Sequence, residues 1–206
     1  MTANNKPLFL IVGRSGSGKT TIVEHLEKYK GFKSVQSYTD RKKRSDDEYG
    51  HIFVSEEEFD KLENIVAYAK YDNHRYCATK EQIDESDLYV VDPVGVEDLL
   101  NIYKNKDRDI YIIYINVDIV NLIDNMKYRG DSDSKIVGRI KNDFAYDWES
   151  YLQLIYTEWK FKKSIFDMNI NNVELMSVDG NQSLDNVLHE ISGMILDNIF
   201  YSTLGG

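Results

Sequence analysis

Residues 13–20 read GRSGSGKT, a complete match to the pattern G-x-x-x-x-G-K-[S/T]. The segment follows a short apolar run and opens a stretch with helical periodicity, which is the setting this motif requires. Gly16 and Gly18 leave room for backbone amides to turn toward phosphate oxygens, and Lys19 would reach the β- and γ-phosphates. The Thr20 hydroxyl would hold Mg²⁺ between the same phosphates. The pattern therefore predicts a site for a nucleoside triphosphate with Mg²⁺.

The whole loop and the threonine that follows it are candidate donor-site residues. Contacts to ATP are expected from Gly13, Arg14, Ser15, Gly16, Ser17, Gly18, Lys19, Thr20 and Thr21. Two interpretations of the Arg14 side chain stay open: added charge near the donor, or simple exposure to solvent. A GTPase would carry D-x-x-G and N-K-x-D segments, and the nearest sequence to the second, NKDR at 105–108, does not match it. A GTPase is therefore disfavoured.

A second group of basic residues lies in the segment SYTDRKKR that starts at Ser37. Arg41 and Arg44 are three residues apart after a short strand, so both guanidinium groups can converge on one anion. Taken alone, such a charge run is typical of an exposed basic surface. Together with the phosphate-binding loop, it indicates an enzyme that moves a phosphoryl group between two phosphorylated molecules.

Buried strands and amphipathic helices alternate along the chain. This alternation predicts a parallel sheet within an α/β, P-loop NTPase three-layer fold. The predicted strands are 7–12, 88–91 and 110–115, and the helices that follow them are 19–29, 95–103 and 118–128. Residues 148–167 and 184–195 are predicted to be further helices, and the aromatic residues of the first are assigned to the core.

One kinase domain is predicted over residues 1–206. Its core comprises about 7–36, 86–128 and 168–206. The pattern changes within 37–85 to short strands around one acidic helix, 56–63, which predicts a small mixed α/β acceptor-binding insertion. Residues 129–147 carry alternating charges, so they are predicted to be a solvated, movable segment. With the helix after it, this segment forms a helical lid over about 129–167.

Composition limits the partners that this protein can have. The 206 residues carry a net charge of −10 at a sequence pI near 4.9, which argues against general affinity for nucleic acid. The longest early apolar run, 7–12, is too short to span a bilayer and no secretory leader precedes it, so we expect a cytoplasmic protein without a membrane partner. The lone Cys77 excludes an internal disulfide. The sequence does not separate a monomer from a dimer.

At this point the chain resembles the guanylate kinase family. The acceptor-binding signature of that family is matched in order by Ser37, Thr39, Arg41, Arg44, Asp47, Gly50, Phe53 and Val54. The similarity extends over residues 8–145. It includes the phosphate-binding loop, a strand that ends in Asp92, and an Arg129-Gly130 pair followed by Arg139.

The resemblance implies a role for each matching residue. The phosphate of a nucleoside monophosphate would be bound by Arg41, Arg44 and Tyr76, with His51 beside them, while Ser37 and Asp47 would lie near the base. Asp92 would act in the acceptor and metal region, Arg129 and Arg139 would close over the triphosphate as catalytic lid residues, and Asn171 would lie by the adenine of ATP. The implied reaction transfers the γ-phosphoryl group of ATP to GMP or dGMP, with Mg²⁺, Lys19 and Arg41 assisting.

Three departures from the family pattern leave the acceptor open. His51 replaces a tyrosine in a shortened loop, Ala67 stands where the family has a glutamate that reads guanine, and Ala78 replaces a hydroxyl residue. Losing these polar partners weakens the selection of guanine. A kinase of the same fold for another nucleotide or for ribose bisphosphate stays open, as does a non-catalytic interaction module.

Overall fold

The computed structural model describes residues 6–43, 46, 48–71, 73–103, 108–165 and 172–203. The strands of the described ranges are β1 (Leu8–Val12), β2 (Ser37–Thr39), β3 (His51–Phe53), β4 (Ile65–Tyr71), β5 (His74–Thr79), β6 (Leu88–Val90), β7 (Ile110–Asn116) and β8 (Val173–Asp179). The helices are α1 (Lys19–Lys30), α2 (Glu56–Phe59), α3 (Lys80–Glu85), α4 (Pro93–Ile102), α5 (Ile119–Tyr128), α6 (Asp133–Asp143), α7 (Trp148–Ile165) and α8 (Leu184–Thr203).

The larger sheet is parallel, with strand order β6-β1-β7-β8. The central strand β1 pairs with β6 through Phe9 and Leu88 and with β7 through Leu10 and Ile112. Every residue of β1 is fully buried, as expected for a parallel strand that is covered on both faces. The predicted parallel sheet and its three predicted strands are confirmed.

Helices cover both faces of this sheet and complete three layers. On one face α4 and α7 pack against the sheet, with Leu99, Leu152 and Trp159 among their buried residues. On the other face α1, α5 and α8 form a second apolar core that contains Leu26 and Ile191. Trp148 and Trp159 of α7 are buried, which confirms the assignment of these two aromatic residues to the core. Tyr151 and Tyr156 are half-buried, whereas Phe161 is exposed, so the assignment does not hold for every aromatic residue of the helix.

The insertion is a mixed four-stranded sheet with order β3-β2-β5-β4. Strands β2 and β3 are parallel, and the β4–β5 hairpin pairs in antiparallel fashion with Ala67 opposite Ala78. The acidic helix is shorter than the predicted 56–63. It starts with a capping box between Ser55 and Glu58 and ends at Phe59, its one buried residue.

The predicted solvated segment 129–147 contains the helix α6. Most of its residues are exposed, in agreement with the charge pattern, but Ile136 and Asp143 are buried. The sequence analysis named no strand after residue 167, whereas β8 pairs in parallel with β7 along its whole length. Within the described ranges, no helix is sufficiently long and apolar to cross a membrane.

Candidate active site

The phosphate-binding loop connects the end of β1 to the start of α1. Gly16 and Gly18 have φ values of 87° and 85°, in the left-handed region that glycine adopts without strain. A Cβ atom on Gly16 would lie 2.6 Å from the Leu122 carbonyl oxygen, and one on Gly13 would lie 2.5 Å from Ser17 Oγ. Side chains at these positions would therefore displace the loop or its neighbours.

Lys19 folds back over this loop. Its ammonium group donates to the Gly13 carbonyl oxygen and, at 2.9 Å, to that of Arg14. Burial lowers the pKa of Lys19 from 10.5 to about 8, although the nearby Asp143 carboxylate opposes this shift. An anionic ligand would favour the charged lysine, so phosphate binding and protonation of Lys19 should be coupled.

Asp143, at the end of α6, contacts the loop directly. Its Oδ2 atom accepts a hydrogen bond from the Ser15 backbone amide at 2.6 Å, and the residue is 5% exposed. A carboxylate therefore holds one of the amides that the sequence assigns to phosphate. The sequence analysis did not single out Asp143, because charged residues alternate along this segment and the contact spans 128 residues.

Arg14 is half-buried, and its side chain has partners within the protein rather than being simply exposed to solvent. Its guanidinium group donates to the Tyr114 hydroxyl at 3.0 Å and to the Asp143 carbonyl oxygen at 3.2 Å. The group also lies 4.2 Å from the centre of the Phe144 ring and 5.8 Å from that of Trp148. These contacts tie the loop to the chain that connects α6 and α7.

The remaining predicted donor-site residues differ in burial. Ser17 is buried, whereas Thr20 and Thr21 are exposed in the first turn of α1. Asn171, the residue expected near adenine, lies outside the described residues.

A cavity of 910 Å³ connects the phosphate-binding loop to the insertion. Its wall includes Lys19 and Ser15 on the donor side and Tyr76 of β5 on the insertion side. The cavity therefore brings together parts of the chain that the sequence assigned to donor and acceptor. Other predicted residues that line it are Gly13, Ser37, His51, Asp92 and Arg139.

Arg41 lies beside this cavity and is 8% exposed. Its Nε atom donates to the Tyr76 hydroxyl at 3.0 Å, so two predicted phosphate ligands are in contact. The two terminal nitrogens donate to both carboxylate oxygens of Glu48, at 3.0 and 2.7 Å. The planar end of Arg41, expected to be available to the acceptor, thus binds a carboxylate of this chain. Arg44 and Asp47 lie outside the described residues.

His51 and Ser37 are neighbours on the same wall. The Ser37 hydroxyl lies 3.0 Å from His51 Nδ1, and the His51 and Tyr76 ring centres are 5.5 Å apart. Because β2 pairs with both β3 and β5, these three side chains are positioned by the insertion sheet itself. The predicted acceptor residues of the described ranges are thus brought together.

Asp92 caps α4 and also faces the cavity. One of its carboxylate oxygens accepts from the Gly95 amide at 2.7 Å, which accounts for its place at the helix start. Burial raises the pKa of Asp92, and the carboxylates of Asp98 and Asp143 add to that effect. The capping role and the exposure to the cavity therefore coexist.

The two predicted lid arginines meet at Asp131. Arg129 donates to its carboxylate, and Arg139 Nε lies 4.0 Å from the same oxygen. Burial opposes the shift, but the surrounding cations, including Lys135, lower the pKa of Asp131 to about 2. Arg139 lines the cavity, whereas Arg129 is exposed.

The predicted guanine-reading positions are apolar. Ala67 and Ala78 are both buried, and Ala67 lines the cavity.

The described residues contain no group of three histidine, cysteine or acidic side chains that could hold a metal ion by themselves. Mg²⁺ commonly takes one or two protein oxygens and completes its shell with water and substrate phosphates. Asp92 and the Thr20 hydroxyl have the oxygen chemistry that such an ion requires.

No protein-family model and no curated protein matches the sequence. Solved structures of similar fold include two nucleotide-binding kinases. Guanylate kinase from Anaplasma phagocytophilum is 13% identical, with 96% of this chain and 88% of that chain covered at a TM-score of 0.49. Deoxyadenosine kinase from M. mycoides, solved with dATP, is 16% identical, with coverages of 92% and 99% at a TM-score of 0.42. At these values neither similarity indicates which substrates this chain binds.

Proposed function

We propose that this protein is an ATP- and Mg²⁺-dependent nucleoside monophosphate kinase with GMP or dGMP as acceptor. The observation that carries the proposal is the single cavity shared by Lys19 and Tyr76, the latter hydrogen-bonded to Arg41. One end offers backbone amides and an ammonium group, and the other offers the Tyr76 hydroxyl, which Arg41 contacts. Two phosphorylated ligands can thus face one another across it.

In the proposed reaction the acceptor's phosphate oxygen attacks the γ-phosphoryl group in line, with ADP as the leaving group. Lys19 and the loop amides would orient the donor and stabilise the charge that develops on the transferred group. Arg139 would approach the same group from the lid. Bound Mg²⁺ would offset phosphate charge, with Thr20 and Asp92 as the candidate oxygen ligands.

The contact between Arg41 and Glu48 is compatible with a role of Arg41 in binding the acceptor's phosphate. Glu48 offers two oxygens in one plane to the guanidinium group, which is the arrangement that a phosphate also provides. The acceptor's phosphate would replace this carboxylate or join it from the cavity side. Tyr76, held by Arg41 Nε, would supply a hydroxyl to the same phosphate.

The identity of the acceptor's base is the most specific part of the proposal. The apolar Ala67 and Ala78 keep a kinase for another nucleotide, or for ribose bisphosphate, as the second candidate. A non-catalytic interaction module is disfavoured because the loop, its glycine geometry and Lys19 are intact.

An ADP-release assay over GMP, dGMP, AMP, CMP, UMP and ribose bisphosphate tests the proposal. We expect turnover with a nucleoside monophosphate, and Lys19→Ala should lower it by several powers of ten while the circular dichroism spectrum is unchanged. Turnover confined to ribose bisphosphate would refute the nucleotide acceptor. Absence of ATP binding in calorimetry with Mg²⁺ would instead favour the interaction module.

A further inference from the structure

Tyr89, in the middle of β6, is a buried residue whose hydroxyl group has no hydrogen-bond partner among the described residues. The side chain is 5% exposed and packs in the same apolar core as Ala67 and Val96. Buried tyrosine hydroxyls normally find a partner, because an unpaired polar group is costly to remove from water. This hydroxyl therefore calls for an explanation.

The cavity supplies that explanation. Tyr89 lines it, and its hydroxyl is not sealed from it, unlike the indole N–H of Trp148, which is a fully occluded donor with no partner in the described part of the chain. Burial raises the pKa of Tyr89, and the neighbouring Asp92 and Asp98 carboxylates add to this effect. The group therefore stays protonated and can donate a hydrogen bond to a molecule in the cavity.

Tyr89 shares the cavity wall with residues at two levels of the insertion sheet. Along β4, Ala69 is opposite Tyr76, a predicted phosphate ligand, whereas Ala67 is opposite Ala78, at the two predicted guanine-reading positions. Two residues of a strand span about 6.6 Å. Ala67 and Tyr89 line the same cavity and belong to the same apolar core, so a nucleoside bound through Tyr76 could extend along the wall that contains both.

The other side chains of the cavity wall further restrict the ligand. The rings of Tyr146 and Trp148 also line the cavity and suit a planar, aromatic ligand.

We propose that the Tyr89 hydroxyl is a specificity-determining hydrogen-bond donor to the base of a nucleoside monophosphate. The inference rests on the proposed kinase function and narrows it: this end of the cavity takes a nucleobase, and ribose bisphosphate is excluded as the physiological class of acceptor. The bond would go from the hydroxyl to a ring nitrogen or carbonyl oxygen of the base.

The test is Tyr89→Phe, with Tyr111→Phe as the matched control. Tyr111 is a buried tyrosine of the neighbouring strand β7 that packs in the core on the opposite face. With the best acceptor of the wild-type protein, Tyr89→Phe should lower kcat/KM by about 5- to 100-fold, mostly through KM. The KM for ATP should be unchanged, and the preference for the best base over the others should shrink. The melting temperature should stay equal or rise, because the variant removes an unpaired group.

Binding measurements separate a failure of this inference from a failure of the proposed function. If the wild-type protein transfers no phosphoryl group, the kinase proposal fails, but calorimetry with the same nucleoside monophosphates still compares the Kd of the wild-type and Tyr89→Phe proteins. A Kd raised by the same factor supports the contact. An unchanged Kd, no nucleotide binding at all, or an equal loss of activity toward ribose bisphosphate would overturn it.

Discussion

Substitution of Asp143 by asparagine should increase the affinity for ATP. The wild-type carboxylate accepts from the Ser15 amide at 2.6 Å, so a phosphate oxygen must displace a charge-assisted hydrogen bond that is worth about 1.5 to 3 kcal/mol. Asparagine offers a neutral acceptor, worth about 0.5 to 1.5 kcal/mol. The difference, about 1 to 1.5 kcal/mol, corresponds to a Kd for ATP that is lower by about tenfold.

Calorimetric titration with ATP and Mg²⁺ near pH 6, without acceptor, measures this effect. The Asp143 charge raises the pKa of Lys19, so its loss lowers that pKa from the wild-type value of about 8. A pH near 6 keeps the lysine mostly protonated in both proteins. The control is Asp133→Asn, which makes the same chemical change at an exposed position on the same helix. If Asp143→Asn bound ATP no more tightly than Asp133→Asn, the carboxylate would not compete with phosphate and the reasoning would be refuted.

Three further outcomes are expected. ATP affinity should fall as pH rises through about 8, because burial lowers the pKa of Lys19 and the neutral amine no longer attracts phosphate; titrations with proton-release measurements across this range check it. Glu48→Ala should lower the free energy of unfolding by about 3 kcal/mol, since it leaves the buried Arg41 without its carboxylate, and inorganic phosphate should restore part of the loss in denaturant melts. Gly16→Ala should abolish ATP binding in calorimetry, because the new Cβ meets the Leu122 carbonyl oxygen in a left-handed backbone; normal binding would contradict the loop geometry.

The sequence predicted the parts of the fold whose signals are local and continuous. The strand β1, its loop and α1 are contiguous in the sequence. The glycine motif that follows the apolar run identifies this run as a buried strand. The strand β8 was missed because only Val173 and Val178 are buried and polar residues interrupt it, so periodicity does not distinguish it from a loop. The predicted length of α2 was too great because the prediction relied on acidic residues rather than on a buried apolar face.

The candidate site was predictable where a motif names the residues and not where distant segments meet. Arg41 and Tyr76 are in contact as the acceptor assignment requires, although 35 residues separate them. The contact of Asp143 with Ser15 and the partners of Arg14 depend on where α6 ends relative to the loop, which no local pattern encodes. No sequence pattern singles out Tyr89, since an unpaired hydroxyl is visible only when its surroundings are known.

The anchoring of Arg14 on Tyr114 and Phe144 has a thermodynamic consequence. The end of α6 and the residues after it border the cavity with Asn142 and Ala145, so the donor loop and the wall of the acceptor space share one piece of backbone. Binding of a ligand at the donor end or at the acceptor end of the cavity therefore changes the free energy of this backbone segment. By thermodynamic reciprocity, any factor by which ATP alters the affinity for the second substrate must equal the factor in the opposite direction. The Kd of each ligand, measured with and without the other, should therefore change by the same factor, and that factor should differ from 1.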